Sequence, residues 1–271
     1  MGTHSSLGTA LITGASTGIG AVYADRLARR GYDLILVARD EKRLTQVAER
    51  LRSEAGVSAE VVKADLTSKA DLSRIEARLR TDQHITLFVN NAGMSVPRAL
   101  VGADFDRVEA LVQLNVLAPT RLAGAAATAF AARGAGAIIN IGSVLGLAPE
   151  LTGGPYSGSK AYLLNFSLAL SRELSPLGVQ VQTVLPGATR TEIWGRAGVD
   201  IATLPQEMVM EVDELVDAAL AGFDQHELVT IPSLPNTADW DAYNAARLHL
   251  QPNLSRKHAA ERYRPESAAV A

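Results

Sequence analysis

The sequence predicts an α/β fold, a doubly wound parallel sheet of six to seven strands with helices on both faces. Three observations carry the prediction. From residue 9 to about residue 231, apolar runs of strand length alternate with longer runs of helical spacing. Several of the strand runs are continuously apolar, as expected of strands covered on both sides. The first of them enters a helix through a glycine-rich turn. Alternation of this kind builds right-handed βαβ crossovers and a parallel sheet. With 271 residues, 47% of them hydrophobic, and no compositional break, the chain reads as a single domain over 1–271, with a core at about 7–234 and a C-terminal extension at 235–271.

Ala10, Leu11 and Ile12 form the first strand, residues 14–20 the turn, and 21–30 a helix. Residues 32–39 make a strand, 41–54 a helix with Leu44, Val47, Ala48 and Leu51 on one stripe, 59–64 a strand, 69–79 a helix and 85–90 a strand. One long helix is expected over 104–133, a strand over 137–142, a second long helix over 156–177 and a strand over 179–185; 229–231 is the candidate seventh. Beyond Leu234 the rhythm changes. Asn236 or Thr237 caps a helix running to Leu250, Pro252 ends it, and 264–271 reads as a frayed tail.

The turn is Gly14-Ala15-Ser16-Thr17-Gly18-Ile19-Gly20. Glycines there let backbone approach a diphosphate, and the helix that follows turns its free N–H groups and positive dipole end to the anion. The rest of the composition excludes other classes. A net charge of -3 provides no basic field for nucleic acid, and the absence of cysteine excludes disulfides and thiolate chemistry. No stretch is long and apolar enough for a membrane span, the first residues lack an apolar signal region, and the five scattered histidines suggest no metal site. A soluble cytoplasmic protein is expected.

Further short stretches fall at the carboxyl ends of successive predicted strands: Asp65-Leu66, Asn90-Asn91-Ala92-Gly93, Ser143 and Pro186-Gly187, with Tyr156-Ser-Gly-Ser-Lys160 between the last two. In order and spacing the set resembles the signature of the classical short-chain dehydrogenase/reductase family, over about residues 7–231. The resemblance implies a Rossmann-type domain that binds a nicotinamide dinucleotide. Its implied cofactor contacts are Gly14, Ser16, Thr17, Gly18, Ile19 and Gly20 in the turn, Asp65 at the adenine edge with Leu66 beside it, Asn91, Ala92 and Gly93, Tyr156 and Lys160, and Pro186, Gly187, Thr189 and Thr191. Thr191 is implied at the nicotinamide carboxamide or diphosphate. Asn90 to Gly93 also read as structural braces of the central strands.

The implied catalytic set is Asn115, Ser143, Tyr156 and Lys160. Tyr156 and Lys160 lie four apart on a predicted helix and so share a face. A neighbouring ammonium favours the phenolate, and lowering the tyrosine by three units needs roughly 4 kcal/mol, shared between Lys160 and a cationic nicotinamide ring. Tyr156 then donates or accepts the proton, and Ser143 hydrogen-bonds the substrate oxygen as charge develops on it. The resemblance also has Lys160 binding the nicotinamide ribose and Asn115 holding a water that relays protons. Two positions depart from the common pattern, Pro155 before the tyrosine and Gly158 where alanine is usual.

Cofactor choice rests on the end of the second strand. Ala38 stands where an acidic residue would accept from the 2′-hydroxyl of NAD, and Arg39 follows it. An arginine pairs bidentately with a 2′-phosphate, so NADP(H) is favoured over NAD(H), with Asp40 blunting the preference. Met94, Val144, Leu145, Trp194 and Met208 or Met210 are candidate walls of an apolar substrate cavity under a lid at 192–212, though the methionines suit ordinary core packing equally well. The reading is an NADP(H)-dependent oxidoreductase interconverting a small-molecule carbonyl and a secondary alcohol. Its rivals are a lyase or dehalogenase on the same fold, and a cofactor-sensing scaffold, whose mark would be loss of Ser143, Tyr156 or Lys160. Surplus apolar and small residues on the two long helices (Ala110, Leu111, Leu114, Ala123, Ala126; Leu163, Phe166, Leu170) predict a homodimer or homotetramer.

Overall fold

The computed structural model describes Ser5 and residues 7–96, 99–196, 198 and 200–263. The expected tail at 264–271 lies outside the described residues. Two compact units emerge, Met1–Pro232 and Ser233–Ala271.

The first unit holds seven strands, β1 Thr9–Thr13, β2 Asp33–Ala38, β3 Ala59–Lys63, β4 Ile85–Asn90, β5 Gly136–Ile141, β6 Val179–Val184 and β7 Val229–Thr230. All pair in parallel, in the order β3-β2-β1-β4-β5-β6-β7. Strand order reverses between β1 and β4, so the connections leaving these two strands diverge and open a crevice at their carboxyl ends. The helices are α1 Gly18–Arg29, α2 Glu41–Ala55, α3 Lys69–Thr81, α4 Phe105–Val112, α5 Ala118–Arg133, α6 Gly154–Leu174, α7 Ile193–Arg196 and α8 Val212–Asp224.

Side chains on the two faces of each strand enter different cores, which is why the strand runs are apolar without alternation. Ala10 and Ile12 of β1 pack with Leu27 of α1, Leu44 of α2 and Leu220 of α8. Leu11 packs with Ile75 of α3, Phe130 of α5 and Leu174 of α6 on the other face. Asp25 of α1 is buried and gathers Arg26, Arg29 and Arg50, each at 2.9 Å; the three guanidinium hydrogen bonds outweigh the desolvation of its carboxyl and hold its pKa at about 2.

The single long helix expected over 104–133 is interrupted. Between α4 and α5 a π turn runs Gln113–Leu117, in which Ala118 donates to the Gln113 carbonyl five residues back. Pro119 explains the interruption: lacking an N–H, it cannot donate to the Asn115 carbonyl four residues earlier. The second long helix begins earlier than expected, at Gly154, with Pro155 in its first turn, where proline is favoured. In the second unit Asn236 Oδ1 accepts from Ala238 N at 2.9 Å at the start of α9, Ala238–His249, and Trp240 stacks on Tyr243 with centroids 5.5 Å apart. Among the described residues no helix is long and apolar enough to cross a membrane.

Candidate active site

The glycine turn leaves β1 at Gly14, whose φ of 68° suits glycine and whose N–H donates to the Val37 carbonyl at 2.8 Å. Gly20 lies so close beneath it that a Cβ would strike the Gly14 carbonyl and come within 2.5 Å of Asn91 Nδ2. Asn91 ties this junction together, its amide donating to the carbonyls of Thr13 at 2.8 Å and Gly14 at 3.3 Å. Thr13 Oγ1 in turn accepts from the backbone N–H groups of Asn91 and Ala92 at 3.0 and 3.1 Å. The Asn91 side chain is thus spent on shaping the turn, in line with the bracing role weighed for this stretch. Ser16, Thr17, Gly18 and Ile19 are part-exposed, and Thr17 places no side-chain cap on α1. The first N–H groups of α1 are left to an outside acceptor, as a diphosphate site requires.

At the end of β2, Arg39 is exposed and has no hydrogen-bond or ion-pair partner among the described residues. Asp40 follows it in the chain. Its carboxylate caps α2, accepting from Arg43 N at 3.0 Å, and lies 3.4 Å from Arg43 Nε. Asp65 sits past β3 in a turn of its own making, Oδ1 accepting from Thr67 N at 3.0 Å and Thr67 Oγ1 at 2.7 Å, with Leu66 buried beside it.

Ser143 leaves β5, and Tyr156 and Lys160 stand one turn apart near the start of α6. Burial pushes the Tyr156 phenol up to about 12, and the neighbouring Ser143 hydroxyl opposes the rise; Ser143 Oγ itself accepts from Leu145 N at 3.1 Å and donates to the Pro186 carbonyl at 3.5 Å. Lys160 is buried, donates from Nζ to the Ile141 carbonyl at 3.0 Å, and is pushed down to about 8 by loss of hydration. Its ammonium is 5.7 Å from the Tyr156 ring centroid. Burial is the leading influence on both groups in this arrangement.

Asn115 occupies the π turn and is buried. Its Oδ1 accepts from Met94 N at 2.9 Å, while Nδ2 donates to Met94 O at 2.8 Å and to Ser159 Oγ at 3.2 Å. It pins the exit of β4 to α6. Gly93 is pressed against the same groups: a Cβ there would lie 3.3 Å from Asn115 Oδ1 and 3.7 Å from Lys160 Nζ. Behind them runs a buried chain that the sequence reading missed. Asn90 Nδ2 donates to Asn140 Oδ1 at 3.0 Å, Asn140 Nδ2 to Ser167 Oγ at 2.9 Å, and Ser167 Oγ to the Leu163 carbonyl at 2.7 Å, tying β4 and β5 to α6. The available signal was a polar residue at position 140 inside an apolar strand.

After β6, the Pro186 carbonyl accepts from Val144 N at 3.0 Å, Thr189 Oγ1 donates to the Gly187 carbonyl at 3.1 Å, and Thr189 bridges to Met210. The Thr191 methyl would lie 3.4 Å from a Cβ at Gly18, which places Thr191 over the turn. Trp194 donates from Nε1 to the Thr189 carbonyl at 2.8 Å. Of the candidate cavity walls, Met210 instead packs against the core and Met208 is 64% exposed; Met94, Val144 and Leu145 are part-buried beside the catalytic groups. A Cβ at Gly158 would meet nothing within 4 Å. Among the described residues no cluster of His, Asp or Glu is arranged to hold a metal.

The reading of surplus apolar surface on the long helices needs correction in its residues. Leu111, Ala123, Ala126, Leu163 and Leu170 are buried within the chain's own core. The apolar surface left on these helices belongs to others, Phe105 at 66%, Val112 at 46%, Leu117 at 41% and Tyr162 at 39% exposure.

The short chain dehydrogenase family model matches residues 8–201. A short-chain dehydrogenase from Sphingobium yanoikuyae, solved in complex with NADPH, is 56% identical and superimposes with a TM-score of 0.93 over 95% of this chain and 100% of its own. A bulky-bulky ketone specific alcohol dehydrogenase from Comamonas testosteroni is 50% identical, with a TM-score of 0.88 over 95% and 99% of the two chains. An uncharacterised oxidoreductase of Staphylococcus epidermidis is 29% identical over 82% of this chain and 93% of its own. With the crevice at the β1/β4 reversal, the glycine turn and the Ser143, Tyr156, Lys160 grouping in place, the chain belongs to the short-chain dehydrogenase family.

Proposed function

We propose that the chain is a cytoplasmic NADP(H)-dependent oxidoreductase that interconverts a ketone and a secondary alcohol, acting as a homodimer or homotetramer. Residues 7–234 form its catalytic core and 235–271 an extension. The single observation that carries the reaction is the Tyr156 phenol beside Ser143 and backed by buried Lys160, whose Nζ is 5.7 Å from the Tyr156 ring centroid, at the carboxyl ends of the strands. The residues fit a nicotinamide dinucleotide, because the turn from Gly14 to Gly20 is close-packed and α1 keeps its first N–H groups uncapped.

NADP(H), when bound, supplies or accepts the hydride. Everything else falls to the chain. Ser143 and Tyr156 hold the substrate oxygen between two hydroxyls, and Tyr156 delivers the proton in reduction or removes it in oxidation. Lys160 has a displaceable bond to the Ile141 carbonyl, so its ammonium is available to a ribose hydroxyl and to the phenolate. Asn115 holds the β4 exit in place, and its main-chain carbonyl receives no donor from Pro119, which leaves it open to a proton-relaying water. Exposed Arg39 supports the choice of NADP(H), as does the NADPH complex of the Sphingobium relative. The Comamonas relative supports a ketone flanked by two large substituents as the substrate class.

The test is Tyr156→Phe, assayed by NADPH oxidation with aryl alkyl ketones. Turnover falls by roughly 10²- to 10⁴-fold, the usual contribution of a positioned acid, while NADPH binding is retained. Near-normal turnover in that variant would sink the mechanism.

A further inference from the structure

The ion pair between Arg43 and Glu192 lies outside everything assigned to the reaction. Arg43 stands in the first turn of α2, three residues past the Asp40 cap, and its Nη1 is 2.8 and 2.9 Å from the two oxygens of the Glu192 carboxylate. Glu192 follows Thr191, whose methyl rests over Gly18 of the glycine turn. The strand-exit segment therefore crosses from the turn after β1 to the helix after β2, and the pair closes the gap between those two elements. That gap is where the crevice expects the adenosine ribose, and Arg39 directly follows β2. Both partners are about half exposed, 45% for Arg43 and 49% for Glu192, so neither is fixed by packing.

A guanidinium held at an exposed site by Glu192 and, more loosely at 3.4 Å, by Asp40 is exchangeable. A 2′-phosphate brings nearly two negative charges and three acceptor oxygens, against one charge and two oxygens on Glu192. Resting on the proposed use of NADP(H), we infer that Arg43 is a second specificity-determining cation for the 2′-phosphate, and that Glu192 is its resident competitor. On binding of NADPH, Arg43 releases Glu192 and turns to the phosphate beside Arg39. NADH, which has hydroxyls at that position, leaves the Arg43–Glu192 pair intact. Glu192 thereby lowers affinity for NADPH and couples occupation of the 2′-phosphate position to release of the segment that begins at Thr191.

Dissociation constants for NADPH and NADH, read by cofactor fluorescence at fixed ionic strength, test the exchange. In Glu192→Gln, which keeps the shape and removes the charge, NADPH binds several-fold more tightly and NADH is unchanged. In Arg43→Gln, NADPH weakens about as much as in Arg39→Ala, again with NADH unchanged, and adding Glu192→Gln to Arg43→Gln gives no recovery. Both substitutions are at the surface, and the double variant controls for any change in folding. An unchanged NADPH constant in Glu192→Gln overturns the exchange. So does equal weakening of both cofactors, which would make Glu192 a latch over bound dinucleotide. Failure of the wild-type chain to bind either cofactor would instead overturn the proposed function, a result seen before any variant is made.

Discussion

Replacing Lys160 by methionine should make the protein more stable and catalytically dead. The reasoning is electrostatic. Lys160 is 7% exposed, and burial lowers its pKa from 10.5 to about 8. At 1.36 kcal/mol per unit, keeping it charged in the folded state at pH 7 costs about 3 kcal/mol. Methionine removes that cost and also the hydrogen bond to the Ile141 carbonyl, which returns about 1 kcal/mol of loss. The net gain at pH 7 is about 2 kcal/mol, or roughly 4–8 °C in Tm for a chain of this size. The sign of the pH dependence follows from the depressed folded pKa. Between about 8 and 10.5 the unfolded chain binds a proton that the folded chain has released, so wild-type stability rises with pH through that window. By pH 9.5 the burial cost has fallen by about 2 kcal/mol and the advantage of the variant has nearly vanished. Tyr156, raised from 10.0 to about 12, acts in the opposite direction but only above pH 10, outside the range compared. Urea denaturation of both proteins at pH 7 and pH 9.5, at one protein concentration, reads the difference directly. A variant less stable than wild type by the same amount at both pH values would refute the claim that the buried charge is the costly group.

Arg39→Ala should lower the kcat/KM preference for NADPH over NADH by about tenfold, the low end of a charge-assisted contact, because the site is exposed; an unchanged ratio would mean that the guanidinium plays no part in recognition. Asn140→Leu leaves Asn90 and Ser167 without their shared partner, and denaturation should show a loss of about 2–4 kcal/mol. Light scattering at micromolar concentration should report a dimer or tetramer, and Leu117→Glu should shift it toward monomer; a monomeric wild type would refute the oligomer.

What the sequence made legible was what has a local cause. Gly14 and Gly20 announce the turn because no other residue fits their contacts, and the continuous apolar runs of β1, β2 and β4 announce burial on both faces. Asn140 and Asn90 were harder, since a buried amide in a strand is satisfied only by partners 27 to 50 residues away that periodicity does not reveal. Burial was unreadable for a related reason: residue spacing gives the proximity of Tyr156 to Lys160 but not the depth that shifts them. The same blindness to depth put Leu111, Ala123 and Leu163 on the surface, when all three are buried and Ala123 and Ala126 of α5 pack with Leu170 of α6 in the core on one sheet face. Pro119 was a readable mark of the broken helix, sitting inside a thirty-residue run where an unbroken α-helix cannot hold it.

The π turn at Gln113–Leu117 has a bearing on how this chain tolerates length changes. It holds one residue more than an α-helix would fit in the same rise, so it is in effect an insertion already absorbed. Deleting a single residue there would let α4 and α5 join into one rod, with a backbone bond still missing at Pro119. Because the π turn spends its extra residue without adding to the rotation between its flanks, the joined rod would keep α4 and α5 in their present registers, with Leu111 still buried. A one-residue deletion in this turn is therefore a regularisation rather than a truncation, and its harm would appear at the turn itself, where Asn115 would lose its place against Met94 and Ser159.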